Sequence, residues 1–347
     1  MGTAATRTVL AAGLEPRGRL LAVHAHPDDE TLATGGLLAT WAAAGQPVTV
    51  VTCTRGERGE TIGDDLRHLE GDGPALADRR QVELVAALRA LGVTEHAFLD
   101  ELPLDRTSRD GPPAGRSPGG RGSRYEDSGM AWTTSAGVAT AAPDVPRHAF
   151  VRVPVEEAAA RLAGLVVRER PSAVVTYEPG GGYGHPDHVR AHEVTARALA
   201  LCGGSRPQHV WWRVETSAAH RHDVDALRRR LAAGVAPEPG RGTGRGHREA
   251  LRLPEPPGRG DRLPSVVRDD LSVDLVVDVA PVRDAVLAAL RAHRSQVQAV
   301  SAWTSPGEPG GPLGSYALSN GELLPLPRYE RYHEAGVEPS AAPSGER

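Results

Sequence analysis

The stretch that most constrains the fold is residues 18–54, GRLLAVHAHPDDETLATGGLLATWAAAGQPVTVVTCT. It begins and ends in apolar runs, 18–26 and 47–54, whose apolar residues follow one another instead of alternating. Uninterrupted runs of this kind mark strands buried on both faces, as in a parallel sheet. Between them, residues 31–45 carry helical spacing and stop at Gly45. Strand, helix and strand in this order form a crossover unit, which is right-handed in nearly all sheets.

The rest of the chain extends the same alternation. Spacing predicts helices over 77–93, ended by Gly92, and over 155–171, ended by Pro171. A further helix covers 185–202, with Pro186 suited to its first turn. Short strands are expected at 96–100 and 172–179, and 272–279 alternates like an exposed or edge strand. A helix over 281–297 closes the regular part. The expected fold is therefore α/β, a Rossmann-like, mostly parallel sheet flanked by helices, with ligands bound at the carboxyl ends of the strands. Two stretches interrupt it, 105–124 and 236–264, both rich in Gly, Pro and Arg and expected as surface loops. The segments 1–17 and 334–347 are expected as flexible termini.

Composition narrows the partners. The net charge of −4 gives no global reason to expect nucleic acid or an anionic membrane surface. Lysine is absent, and isoleucine and asparagine occur once each, at Ile62 and Asn320. That skew points to a GC-rich coding bias, so the arginine clusters carry little weight as recognition signals. Cys53 and Cys202 are too few for a disulfide framework and form no C-x-x-C pair. No apolar run approaches the length of a membrane span, and no charged segment leads into an apolar core near Met1. A cytoplasmic, reduced protein is expected.

Chemistry concentrates in two polar clusters at expected strand ends, HAHPDDE (24–30) and EPGGGYGHPDH (178–188). In the first, a turn at Pro27 can swing the Asp29 carboxylate toward the His26 imidazole. One nitrogen and one oxygen from a single turn are half of a hydrolytic zinc site. The second cluster offers His185 and His188, three residues apart. Each cluster also has a plainer reading: Asp28 or Asp29 can cap the following helix, and His192 competes locally with His188 as a ligand or packs behind it. His24 is expected within the sheet, outside the site. The glycines of 180–184 do not form a dinucleotide fingerprint.

These residues carry a resemblance. AHPDDE (25–30) with the distant GHPDH (184–188) resembles the LmbE/PIG-L family of zinc-dependent N-acetylglucosaminyl deacetylases. The likeness extends through VVTCTRGERGE (50–60), LRALG (88–92), YEDSGMAWT (125–133), VVTYEP (174–179), LRAHRSQV (290–297) and YALSNG (316–321). It spans roughly residues 18–333 as a single deacetylase domain, and is strongest to the mycothiol-pathway branch of the family.

The resemblance implies His26, Asp29 and His188 as ligands of one zinc per subunit, a set that ferrous iron also suits. It implies Asp28 as general base, and His185, in its charged form, as the group facing the amide oxygen. It implies Tyr183 as a mobile residue over the substrate, with Arg80, Asp127 and Met130 as substrate contacts. Asp187 fits a partner that orients a histidine ring. The implied partner is a small pseudodisaccharide, 1D-myo-inositol 2-acetamido-2-deoxy-α-D-glucopyranoside, whose N-acetyl group is hydrolysed. Two alternatives stand beside it: an amidase acting on mycothiol conjugates, and a non-catalytic sugar-binding or regulatory protein of the same fold.

Overall fold

The computed structural model describes residues 16–63, 65–104, 124–132, 139–234, 263, 266–303, 310–319 and 322–336. Except for Arg124 and Leu263, the two Gly/Pro/Arg-rich stretches lie outside the described residues, as do 1–15 and 337–347.

The opening crossover unit is β1 (Leu20–His24), α1 (Asp29–Ala43) and β2 (Val48–Thr52). β1 and β2 pair in parallel, with Leu20 opposite Val48 and His24 opposite Thr52. α2 (Gly73–Leu91) ends on Gly92 in the left-handed conformation and leads into β3 (Glu95–Phe98). A small hairpin, β4 (Met130–Trp132) and β5 (Ala139–Ala141), precedes α3 (Val155–Glu169) and β6 (Ala173–Tyr177). A single helical turn, α4 (Gly181–Gly184), then joins β6 to α5 (Pro186–Leu201).

β7 (His209–Val214), α6 (Ser217–Ala232), β8 (Leu275–Asp278) and α7 (Arg283–Ala292) follow, and the chain continues through β9 (Gln298–Ala302), β10 (Gly314–Ala317), β11 (Leu323–Leu326) and β12 (Tyr329–Glu334).

The main sheet has the order β3-β2-β1-β6-β7-β12-β8. Its first five strands are parallel, and β12 runs antiparallel to both β7 and β8. The expected mostly parallel sheet is present, with β8 at one edge. Alternate residues of each central strand face opposite sides. Leu20, Ala22, Val50 and Val175 join the apolar layer with residues of α1, α2 and α7. Leu21, Val23, Val51 and Val174 join the layer with residues of α3 and α5. Burying each of these leucine and valine side chains is worth about 1.5–3 kcal/mol, so the covering helices hold the sheet from both faces.

The helix expected over 281–297 does not close the regular structure: α7 stops at Ala292, and four strands follow it. Three of them, β9 to β11, make a separate antiparallel sheet. The fourth, β12, is YERYHE, too charged to read as an interior strand. It is held there because the buried Glu330 carboxylate accepts the N–H groups of Gly36 and Leu37, at 2.7 and 2.8 Å. Among the described residues, no helix is long and apolar enough to cross a membrane.

One feature of the strand order places the site. β2 follows β1 on one side and β6 lies against β1 on the other. The direction of winding reverses between β1 and β6, and open sheets of this kind bind ligands at such a reversal, beyond the carboxyl ends. HPDDE leaves β1 there and GHPDH follows β6 there, so the two clusters converge.

Candidate active site

After β1, the chain turns through Ala25, His26, Pro27 and Asp28 before α1 begins. Asp28 sits at φ 131° and ψ −30°, a backbone region rarely used by residues other than glycine. The turn folds the Asp29 carboxylate back, and its Oδ2 accepts the N–H of His26 at 2.8 Å. Asp28 makes no side-chain cap on α1. Across the reversal, His185 caps α5 instead: its Nδ1 accepts the N–H of Asp187 at 3.1 Å. One turn on, His188 faces the first cluster.

Three atoms then meet. His26 Nδ1 and Asp29 Oδ2 lie 3.2 Å apart, and His188 Nε2 lies 3.3 Å from each of them. An ion bound tetrahedrally at about 2.0–2.1 Å separates its ligands by about 1.63 bond lengths, or about 3.3–3.4 Å. The three atoms are thus spaced as one face of such a tetrahedron would require, and the donor set suits zinc or ferrous iron. His185 also brings a nitrogen within 4.8 Å of nitrogens on His26 and His188.

Hydrogen bonds behind the triangle fix which nitrogen each ring presents. His188 Nδ1 lies 3.2 Å from the Gly181 carbonyl, so Nδ1–H donates and Nε2 keeps its lone pair. His26 Nε2 lies 3.2 Å from Asp187 Oδ2 and 3.7 Å from Asp127 Oδ1, which leaves Nδ1 for the triangle. Asp187 is itself held by the N–H and hydroxyl of Ser128. Tyr177 stacks on His188 at 4.2 Å and accepts the N–H of Ala25 at 2.9 Å. Gly181 is at φ 69°, and a Cβ there would come within 2.7 Å of the Val189 nitrogen. Only glycine can place its carbonyl on His188.

The electrostatics divide the two aspartates of the turn. Burial would raise Asp29, but His188 and His26 outweigh it and hold the carboxyl well below its ordinary range. Among the described residues, Asp28 accepts no hydrogen bond from an imidazole. Burial pushes it up to about 6 against the opposing charge of Arg80, whose Nη2 donates to Asp28 Oδ1 at 3.1 Å. Burial would lower His26, yet Asp127, Asp187 and Asp29 lift it well above 6.5. Asp127 is correspondingly held far down, its burial outweighed first by His26.

The structure brings His26, Asp28, Asp29, His185 and His188 into one buried cluster. Tyr183 joins it, its ring edge-on to His188 at 4.9 Å and to His185 at 6.0 Å.

Three expected roles look different in place. The charged form expected for His185 is disfavoured: burial, then His26 and His188, lower it to about 2. With Nδ1 accepting from Asp187, the neutral ring carries its proton on Nε2. Arg80 was expected on sugar hydroxyls, but it is 3% exposed and donates to the Pro27 and Gly56 carbonyls and to Asp28. It passes so close to Gly56 that a Cβ there would lie 2.1 Å from Nη1. Asp127 likewise turns inward, accepting the N–H of Gly129 at 2.8 Å beside His26. Met130 opens β4 just beyond Gly129 and is half-buried. Arg79, half-buried, pairs with the buried Glu83 at 2.7 Å. His24 ends β1 and His192 packs behind the site on the Tyr177 carbonyl, at 2.9 Å.

Sequence reasoning missed Tyr177, Ser128 and the pairing of Glu30 with His293. Tyr177 was legible as an aromatic closing a strand that leads to the second cluster. Ser128 and His293 lie in stretches that carried the family resemblance, without any local pattern to give them a role.

A parallel α/β sheet with two histidines and a carboxylate converging at its winding reversal, and a second carboxylate beside them, defines a hydrolase built around a metal ion. The family model described as GlcNAc-PI de-N-acetylase, PIG-L, matches residues 21–199, just over half of the chain. The chain belongs to the PIG-L family of N-deacetylases.

Among its relatives is the 1D-myo-inositol 2-acetamido-2-deoxy-α-D-glucopyranoside deacetylase of Kineococcus radiotolerans, 44% identical over 82% of this chain and 70% of the relative. The protein of the same description from Actinosynnema mirum is 42% identical, with 90% of each chain covered. That of Nocardia farcinica is 41% identical over 91% of this chain and 89% of the relative.

Proposed function

We propose that the chain hydrolyses the N-acetyl group of 1D-myo-inositol 2-acetamido-2-deoxy-α-D-glucopyranoside, releasing acetate and glucosaminyl-inositol. In this reading His26, Asp29 and His188 hold one zinc ion. When bound, the ion supplies Lewis-acid polarisation of the acetamide carbonyl and eases ionisation of the attacking water. The observation that carries the chemistry is the 3.2–3.3 Å triangle with Asp28 beside it and outside it. Asp29 is committed to the triangle, whereas Asp28 stays basic enough to take a proton from water and return it to the departing amine.

His185 donates from Nε2 to the developing oxyanion. A neutral donor suffices for this, because a fixed N–H in a buried site needs no reorganisation as charge appears. Tyr183, edge-on to both histidines, closes the site over the acetyl group. Arg80 holds the base, and Asp127 and Glu57 brace the His26 side of the pocket, where the N–H of Asp127 donates to Glu57 at 3.1 Å. The choice of sugar rests on the relatives that share this chain's length and about two-fifths of its residues.

Purified protein loaded with zinc should release free amine from the glucosaminyl-inositol substrate, measured with an amine-reactive fluorophore. The Asp28→Asn variant should keep its zinc and lose turnover by orders of magnitude. Dominant cleavage of a mycothiol S-conjugate would transfer the assignment to an amidase. Full turnover in the variant would remove Asp28 as base.

A further inference from the structure

Asp28 is one of three non-glycine residues with positive φ among those described, and the only one of them in the site. Its backbone is held by a group with no place in the triangle. Glu30 Oε2 accepts the N–H of Asp28 at 2.9 Å. Glu30 Oε1 accepts from His293 Nε2 at 2.7 Å and from the Thr31 hydroxyl at 2.5 Å. Glu30 and His293 are 0% and 1% exposed, so neither meets solvent or substrate. Glu30 lies in the first turn of α1, and His293 arrives from the end of α7, far along the chain.

We infer that Glu30 and His293 form a positioning pair that holds the Asp28 peptide in its strained conformation and so aims the carboxylate used as the base. An outlying backbone conformation persists only where its surroundings over-determine it, and such residues cluster where function needs them. Three constraints meet on Asp28. Its carbonyl accepts from the N–H groups of Thr31 and Leu32, both at 2.9 Å, as α1 begins. Its carboxylate is held by Arg80. Its N–H is held by Glu30, whose carboxylate is kept in place by His293. Without the Glu30 acceptor, the N–H end of the 27–28 peptide loses its partner while its carbonyl end stays on Arg80; the Asp28 φ can then relax toward an ordinary value, and the carboxylate swings away from the attacking water. Misplacement by about 1 Å costs roughly a hundredfold in rate. Glu30 acts on Asp28 and not on the ion, because its oxygens are taken by the Asp28 N–H, the Thr31 hydroxyl and His293.

The inference rests on Asp28 being the base, and the test separates the two. Full-length, zinc-loaded wild type, Glu30→Gln, Asp28→Asn and the double variant are compared for kcat, KM and zinc content. His293→Gln, whose amide can still donate to Glu30, is set beside His293→Leu, which cannot. Glu30→Gln leaves one acceptor oxygen where two now serve the Asp28 N–H, the Thr31 hydroxyl and His293, so the hold on Asp28 is broken or shared and kcat should fall about ten- to a hundredfold with KM and zinc content unchanged. In the Asp28→Asn background the same change should matter less than about twofold, since the base it aims is gone.

His293→Leu should follow Glu30→Gln, and His293→Gln should recover most of the loss. This second pair decides the question if Glu30→Gln does not fold. Equal losses from Glu30→Gln in both backgrounds, loss of zinc in step with kcat, or wild-type kcat in His293→Leu would each overturn the positioning role. Wild-type turnover in Asp28→Asn would instead overturn the base assignment, whatever Glu30 does.

Discussion

Replacing Asp28 by asparagine should make the metal-free protein more stable at alkaline pH while removing its activity. Burial raises the Asp28 carboxyl from 3.8 to about 6 in spite of Arg80. Between those values the folded chain holds a proton that the unfolded chain has released. Stability from this group is therefore complete below pH 3.8 and is lost as pH rises through about 6. Each tenfold change in proton affinity is worth about 1.36 kcal/mol, so the full loss is about 3 kcal/mol by pH 8.

Asparagine keeps the shape, tolerates positive φ better than most residues, and still offers Oδ1 to Arg80. The opposing charge of Arg80 is already counted in the rise to about 6, so losing that ionic contact adds no separate penalty. The assay is urea unfolding of both proteins with chelator present, from pH 4 to pH 8, with equal slopes confirming a common unfolded state. The two curves should coincide near pH 4 and diverge upward in favour of the variant. A difference that does not change with pH, or a variant less stable at pH 8, would refute the reasoning that burial is what makes Asp28 basic.

Two further outcomes test the groups behind the site. Arg80→Ala removes the cation that opposes the rise of Asp28, so the acid limb of kcat/KM should move to higher pH; an unshifted profile would show that Arg80 does not act on the base. Asp187→Asn removes the carboxylate on His26 Nε2, and zinc affinity, read by competition with a chelator, should fall about ten- to a hundredfold. Unchanged affinity would mean that Asp187 does not orient His26.

What could be read from the sequence was set by how far apart the cooperating residues lie along the chain. His26, Asp28 and Asp29 share one turn, and His185, Asp187 and His188 share one helix start, so their spacing announces them. Their convergence followed from the parallel sheet, because strand order puts β1 beside β6. The strands after α7 gave no comparable signal. β12 is charged because Glu330 is consumed in holding α1, and β9 to β11 are short strands in a sheet of their own. Arg80 was legible as a site residue but not in its direction. Whether a guanidinium faces a ligand or the backbone of a neighbouring turn depends on how α2 packs against the 54–60 loop, which no local pattern encodes.

The division between legible and hidden residues follows a physical rule. Ligands of one ion must place their atoms about 3.3 Å apart, and the cheapest way to secure that is to draw two of them from one turn, which leaves a motif. An orienting residue needs only one well-aimed hydrogen bond, and any element passing at the right distance can supply it. Here those bonds come from Ser128 before β4, Gly181 in α4, Tyr177 at the end of β6 and His293 after α7. Each comes from a different part of the fold, and each acts on a residue of one of the two HPD turns or on the carboxylate that holds it. In the proposed function the motif thus supplies the reacting atoms, while the tertiary structure sets their tautomers and aim. For this reason Glu30, within the motif yet outside the triangle, could be assigned a role only once His293 was seen beside it.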